Sequence, residues 1–166
     1  IGRWLTESAH RHPDKVAIDD RGVRLRYADL ERRARALADA LVAAGYRRGM
    51  RIATVTGNSA DHVVAFFACA RAGLVLTPLS WRLPAAELAD QLALADPALV
   101  LTDTEFGALA QRALEDSPVR ADLTLLGQQG VESRVPTAYP GQVSDLTSAG
   151  PTCDDDPLLL TFTSGT

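Results

Sequence analysis

An α/β fold with a mostly parallel sheet and helices on both of its faces is predicted by three observations. From residue 51 onward, short apolar or β-branched runs alternate with longer stretches of helical periodicity. Glycine, proline or a helix-capping residue punctuates the junctions. Before residue 28, a pair of alternating runs divided by turn residues adds a short N-terminal β-hairpin. Parallel neighbours need crossover connections, and helices supply them while covering the sheet.

Residues 1–12 can form a short helix with Trp4, Leu5 and Ala9 near one face, closed by Pro13, and are expected to pack onto the domain as an arm. Val16-Ala17-Ile18 and Val23-Arg24-Leu25-Arg26-Tyr27 alternate as strands around Asp19-Asp20-Arg21-Gly22, a turn composition. Over 28–44, Leu30, Ala34, Leu37, Ala38, Leu41 and Val42 recur at helical spacing. Asp29 and Glu31 place negative charge in the first turn of that helix, and Gly45 stops it. Glu31 and Arg35, four residues apart, are expected to pair on its exposed face.

Residues 51–56 form the first β-branched run of the main sheet, and Asn58 or Ser59 can cap a helix ending near Gly73. Gly57 alone does not make the G-x-G-x-x-G turn of a dinucleotide site. Residues 74–78 are the next strand. Pro84 opens a helix bearing Leu88, Leu92 and Ala95, which Asp96-Pro97 ends. Residues 98–102 make a further strand, and Thr102 or Asp103 can cap a helix carrying Phe106, Leu109, Ala110, Ala113 and Leu114. A strand over 123–126 follows. From 127 to 156 no period is sustained, and three successive carboxylates, Asp154, Asp155 and Asp156, read as a solvated lead-in to a buried strand over 157–162.

Length and composition narrow the function. A chain of 166 residues can fold as one ordinary domain, burying roughly 70% of its unfolded surface. The net charge is −4 and the basic residues form no stripe, which gives no support to nucleic-acid binding. The longest strictly apolar run, Val63 to Ala70, is far short of the roughly 20 residues that span a bilayer. A cytoplasmic location is therefore expected. Cys69 and Cys153 make no C-x-x-C pair, and Cys69 reads as a small core residue. His10, His12 and His62 have no cysteine or acidic cluster at metal-ligand spacing and read as solvated.

The chemistry concentrates at residues 157–166. An apolar strand delivers Thr163-Ser164-Gly165-Thr166 at its carboxyl end, offering hydroxyl donors and closely spaced backbone N–H groups to an anion. Gly165 permits backbone angles closed to other residues and a close approach of that anion. A nucleotide's phosphates are the ligand this composition suits; a polar connection with no ligand is the bland alternative.

Phe162-Thr163-Ser164-Gly165-Thr166, in its place after Asp156-Pro157 and an apolar strand, resembles the opening of the phosphate loop of acyl-adenylate-forming ligases. The superfamily includes acyl-CoA synthetases, carrier-protein adenylation domains and luciferases. The resemblance runs almost end to end, through Pro13-Asp14-Lys15-Val16-Ala17, Tyr27-Ala28-Asp29-Leu30, Gly49-Met50-Arg51-Ile52-Ala53, Asn58-Ser59, Phe66-Phe67-Ala68 and Arg71-Ala72-Gly73. Pro78-Leu79-Ser80-Trp81-Arg82-Leu83 looks like the wording of fatty-acyl and aryl-CoA synthetases, with Ser80 where asparagine is usual. Trp81 is expected to anchor the packing of the helix that follows it, and Arg26 replaces the threonine that usually caps the helix before Tyr27.

The resemblance implies a flavodoxin-like subdomain of an adenylate-forming ligase. It implies an AMP-forming acid-thiol ligase of fatty acid metabolism or aromatic acid activation, acting on ATP, Mg²⁺, coenzyme A and a carboxylic acid. Thr163, Ser164, Gly165 and Thr166 would bind the ATP phosphates, whereas the catalytic lysine, acyl pocket and adenine contacts would lie beyond residue 166. On that reading the chain is part of a longer enzyme and inactive alone. Its expected divisions are an arm over 1–27, an α/β subdomain over 28–126, an irregular connection over 127–156, and the last strand with the start of the phosphate loop over 157–166. A carrier protein as acceptor, and a non-catalytic flavodoxin-like binding domain, are the competing expectations.

Overall fold

The computed structural model describes residues 1–127 and 156–163. Helix α1 (Gly2–Arg11) buries Leu5 and lays Trp4 over Phe67, ring centroids 6.0 Å apart, with its edge toward Tyr27. These contacts make the expected arm. The hairpin that follows pairs β1 (Val16–Asp20) with β2 (Val23–Arg26). Its turn is tighter than the composition suggested, because Asp19 and Asp20 belong to β1. Only Arg21 and Gly22 remain, both at positive φ (51° and 88°), the conformation whose twist matches flanking antiparallel strands. Asp20 reaches across to accept the Ala60 N–H at 2.9 Å, tying the hairpin to the start of a later helix.

Helix α2 (Tyr27–Ala43) buries Leu30, Ala34, Leu37, Ala38 and Leu41, whereas Val42 falls outside the stripe and is half exposed. Arg26 supplies no side-chain cap and pairs instead with Asp14 at 3.0 Å. Glu31 does not pair with Arg35 along its own helix. It turns toward α3 (Ala60–Ala72), where its Oε1 accepts from the Arg71 guanidinium and from the Thr6 hydroxyl, joining three helices. A partly buried partner on a neighbouring helix outweighs a solvated one on the same face.

The main sheet contains β3 (Arg51–Val55), β4 (Val75–Leu79), β5 (Leu99–Thr102) and β6 (Asp122–Leu125), all parallel in the order β4-β3-β5-β6. The chain steps from β3 to β4 on one side, then crosses to β5 and β6 on the other. Right-handed crossovers consequently set α3 on one face with α1 and α2, and α4 (Ala85–Ala95) with α5 (Gly107–Asp116) on the opposite face. Each strand feeds both layers: Ile52, Leu76, Leu99 and Leu101 pack with α2 and α3, whereas Val55, Leu79 and Val100 pack with α4 and α5. A slip of one residue would exchange the two sets, so the register is strongly specified.

The helix ends follow the expected chemistry. The Ser59 hydroxyl accepts the His62 N–H at 3.2 Å, and Gly73 closes α3 in the left-handed conformation at φ 69°. Asp96, also left-handed, ends α4 just before Pro97. Cys69 is fully buried, and burial pushes its thiol pKa up to about 12, consistent with an inert core residue. No described helix is long and apolar enough to cross a membrane.

Candidate functional site

The segment 157–163 lies along the free side of β4 and runs parallel to it. Its pairing is a single bridge: the Leu76 N–H donates to the Leu158 carbonyl at 2.8 Å, and the Leu160 N–H donates to the Leu76 carbonyl at 2.9 Å. The expected buried strand is thus an edge segment. Leu159 is 48% exposed and Leu160 37%, because among the described residues no strand pairs with its outer side. The parallel direction nevertheless has a chemical consequence. It brings Phe162 and Thr163 out at the edge where β3, β4, β5 and β6 all end, the usual ligand-binding edge of an open α/β sheet.

Phe162 packs against the cluster that contains Val55, Leu79 and Val100, and Thr163 is exposed beyond it. Ser164, Gly165 and Thr166 lie outside the described residues, as do Cys153, Asp154 and Asp155. Asp156 is not solvated as its acidic run suggested. Its carboxylate pairs with the Arg48 guanidinium, and its side chain is only 14% exposed.

Around this edge the loops are held by short polar contacts. After β3, the Gly57 N–H donates to Asp103 Oδ2 at 2.9 Å, while Asp103 Oδ1 accepts the Glu105 and Phe106 N–H groups at 3.1 and 2.9 Å. Asp103 therefore holds the turn before α5 and ties together the loops after β3 and β5, whereas the helix itself starts later than expected, with Phe106 as its N-cap and no side-chain cap from Thr102 or Asp103. Thr102 turns its hydroxyl back to the Val55 carbonyl at 2.8 Å. After β4, Trp81 stacks on Phe106 with centroids 4.9 Å apart, and the Arg82 guanidinium lies 4.3 Å above the indole. The packing role expected of Trp81 is what this geometry supplies, although its partner is the loop after β5. Among the described residues no group of three or more His, Cys, Asp or Glu side chains could hold a metal ion.

His62, expected to be solvated, is half-buried with its Nδ1 at 2.8 Å from the Thr56 hydroxyl. Burial lowers its pKa below the ordinary imidazole value. A base with a depressed folded-state pKa binds its proton more readily in the unfolded chain. Its contribution to stability is complete above the unfolded value and is lost as pH falls from there toward the folded one. The melting temperature of the wild-type protein is expected to drop more steeply between pH 7 and pH 5 than that of His62→Gln. Parallel curves would show that this ring is not the titrating group.

Two features escaped the sequence reading. Arg48 and Asp156 stand 108 residues apart, and no local pattern connects them. The Thr56–His62 contact crosses a strand-to-helix turn whose residue types signal a helix cap and no side-chain pair.

Residues 5–166 match the model of the AMP-binding enzyme family. The chain belongs to this family. It is 33% identical over 165 residues to a feruloyl-CoA synthase of Amycolatopsis sp, covering 99% of this chain and 31% of that protein. It is 31% identical over 173 residues to an indoleacetate–CoA ligase of Aromatoleum aromaticum, covering all of this chain and 32% of the relative. A Mycobacterium tuberculosis fatty acyl CoA synthetase superposes with a TM-score of 0.77 at 26% identity, over 98% of this chain and 32% of the other. The chain thus spans about a third of the length of these relatives, and its fold agrees with that of the fatty acyl CoA synthetase over the part they share.

Proposed function

We propose that this chain is the N-terminal part of an ATP-dependent acyl-CoA ligase that activates a fatty or aromatic carboxylic acid as its acyl-adenylate and passes the acyl group to coenzyme A. The observation that carries the proposal is the parallel placement of 157–163 beside β4, which brings Thr163, the residue that opens the Thr163-Ser164-Gly165-Thr166 sequence, to the carboxyl edge of the sheet. The family membership and the relatives named for acyl-CoA formation support the same reading.

In the reaction, a carboxylate oxygen attacks the α-phosphorus of ATP and the bond to the bridging oxygen of pyrophosphate breaks. Negative charge builds on the departing phosphates. Hydroxyl and backbone N–H donors of Thr163, Ser164 and Thr166 would stabilise it, because donors aimed before charge develops need little reorganisation. Gly165 would let the phosphates approach the main chain. Thr163 is exposed at the carboxyl edge and available for this task, which fits a bound triphosphate. Mg²⁺, when bound, would add charge neutralisation; the described residues contribute no cluster of ligands to it. The divisions at 1–27, 28–126, 127–156 and 157–166 form part of the same proposal.

Pyrophosphate exchange by the complete protein, measured against a panel of aromatic and fatty acids and followed by thioester formation with coenzyme A, tests it. Ser164→Ala is expected to lower exchange at subsaturating ATP by about 1–3 kcal/mol of transition-state stabilisation, the worth of a charge-assisted hydrogen bond, while the melting temperature stays unchanged. An unaltered exchange rate would remove Ser164 from the phosphate site.

A further inference from the structure

The segment leading to Thr163 has little backbone pairing. Among the described residues that pairing is one bridge to Leu76, and Leu159 and Leu160 are exposed, while Leu158 and Phe162 pack on the two core clusters and a charged hold stands at its start. There Asp156, immediately before Pro157, receives the guanidinium of Arg48. Arg48 belongs to the turn between α2 and β3, and that turn is itself fixed to the sheet. The Gly49 N–H donates to the Gly73 carbonyl at 2.8 Å, and the Val75 N–H donates to the Met50 carbonyl at 2.9 Å. The Arg48 and Asp156 side chains are 34% and 14% exposed, so the pair is shielded more than an ordinary surface pair.

We infer that Arg48 and Asp156 form a register anchor, a positioning pair that sets how far the 157–163 segment extends past β4 and hence where Thr163, the first of the proposed phosphate donors, meets the nucleotide. This role rests on the function proposed above. A parallel edge segment with one bridge has little backbone pairing to prevent a shift along its own axis, and the packing of Leu158 and Phe162 is its apolar restraint. One residue of slip moves its end by about 3.3 Å and turns its side chains to the opposite face. The ion pair resists that slip because its arginine stands on a turn fixed to the sheet, and Pro157 stiffens the link from carboxylate to strand.

The test uses the complete protein with Arg48→Gln, Asp156→Asn, the double variant and Arg48→Lys. Arg48→Gln and Asp156→Asn are each expected to raise KM for ATP in pyrophosphate exchange by roughly tenfold or more, through misplacement of the donors. KM for the acid should be nearly unchanged. The double variant should be no worse than either single one, and Arg48→Lys should restore much of the loss. A pair that only stabilised the fold would reduce the active fraction and leave KM for ATP alone, and that result would overturn the inference. A second measurement does not depend on turnover: the Leu160 amide should exchange with deuterium about tenfold faster in Arg48→Gln than in the wild type. If the wild type catalyses no exchange with any acid, the proposed activity fails while the amide still decides the anchor. Equal amide rates in the two proteins would sink the anchor whatever the activity.

Discussion

Leu101→Ala is expected to destabilise the protein by about 2–5 kcal/mol, the cost of deleting a buried leucine from a core that cannot collapse around the gap. Leu101 is fully buried on β5, between Thr54 of β3 and Thr124 of β6, with its side chain in the layer filled by α2 and α3. Neighbouring strands on both sides hold its backbone in place, so the surroundings cannot move inward to fill the space. Thermal unfolding should report the loss as a drop of roughly 2–4 °C for each kcal/mol in a protein of this size. The informative control is Leu94→Ala on α4, where the leucine is 77% exposed and the change should stay within about 0.5 kcal/mol. Equal shifts for the two variants would contradict a sheet buried on both faces.

That the sheet would be buried on both faces was legible in the chain, and the reason is periodicity. Residues 51–56, 74–78 and 98–102 carry continuous apolar or β-branched runs, and the helical stripes between them show which residues face inward. The punctuation was equally readable: Ser59 caps α3 through its hydroxyl, and Gly73 and Asp96 end their helices in the left-handed conformation. Local chemistry of this kind needs no knowledge of distant partners. The features that were misread all depend on such partners. Glu31 looked like one half of a helical pair with Arg35, but the third dimension brings Arg71 nearer. Asp156 looked solvated within an acidic run, yet folding sets Arg48 beside it. His62 read as a surface residue until the turn after β3 placed the Thr56 hydroxyl against its ring.

The candidate site was legible in a different way. Thr163 to Thr166 announced donors for an anion, and the apolar run before them announced a strand, but neither shows which edge of the sheet that strand joins. The bridge to Leu76 settles this for the described residues: the segment joins the sheet beside β4, and its parallel direction carries Thr163 to the carboxyl edge. The same bridge explains why the strand is shorter and more exposed than its composition suggested. With a neighbour on one side only, Leu159 and Leu160 keep much of their surface in water.

Residues 1–166 by themselves are expected to form no acyl-CoA when supplied with ATP, Mg²⁺, coenzyme A and a carboxylic acid. A single well-aimed donor to a developing anion is worth about a hundredfold to a thousandfold in rate, and only when it is preorganised in a water-poor site. Thr163 is exposed, and a donor that faces water loses most of that advantage. The larger share of catalysis in such a reaction comes from holding the acid against the α-phosphorus, which can supply about 7–11 kcal/mol. On the proposed function, the groups that the family resemblance assigns to this task would lie beyond residue 166; this chain spans 31% of the feruloyl-CoA synthase it matches. Donors at the phosphates with nothing to orient the attacking carboxylate leave the reaction effectively bimolecular. Chromatographic detection of thioester over the background of a reaction without protein is the measurement. Thioester above that background would mean that 1–166 holds an acid-binding surface of its own, and would move the centre of catalysis into the layers described here.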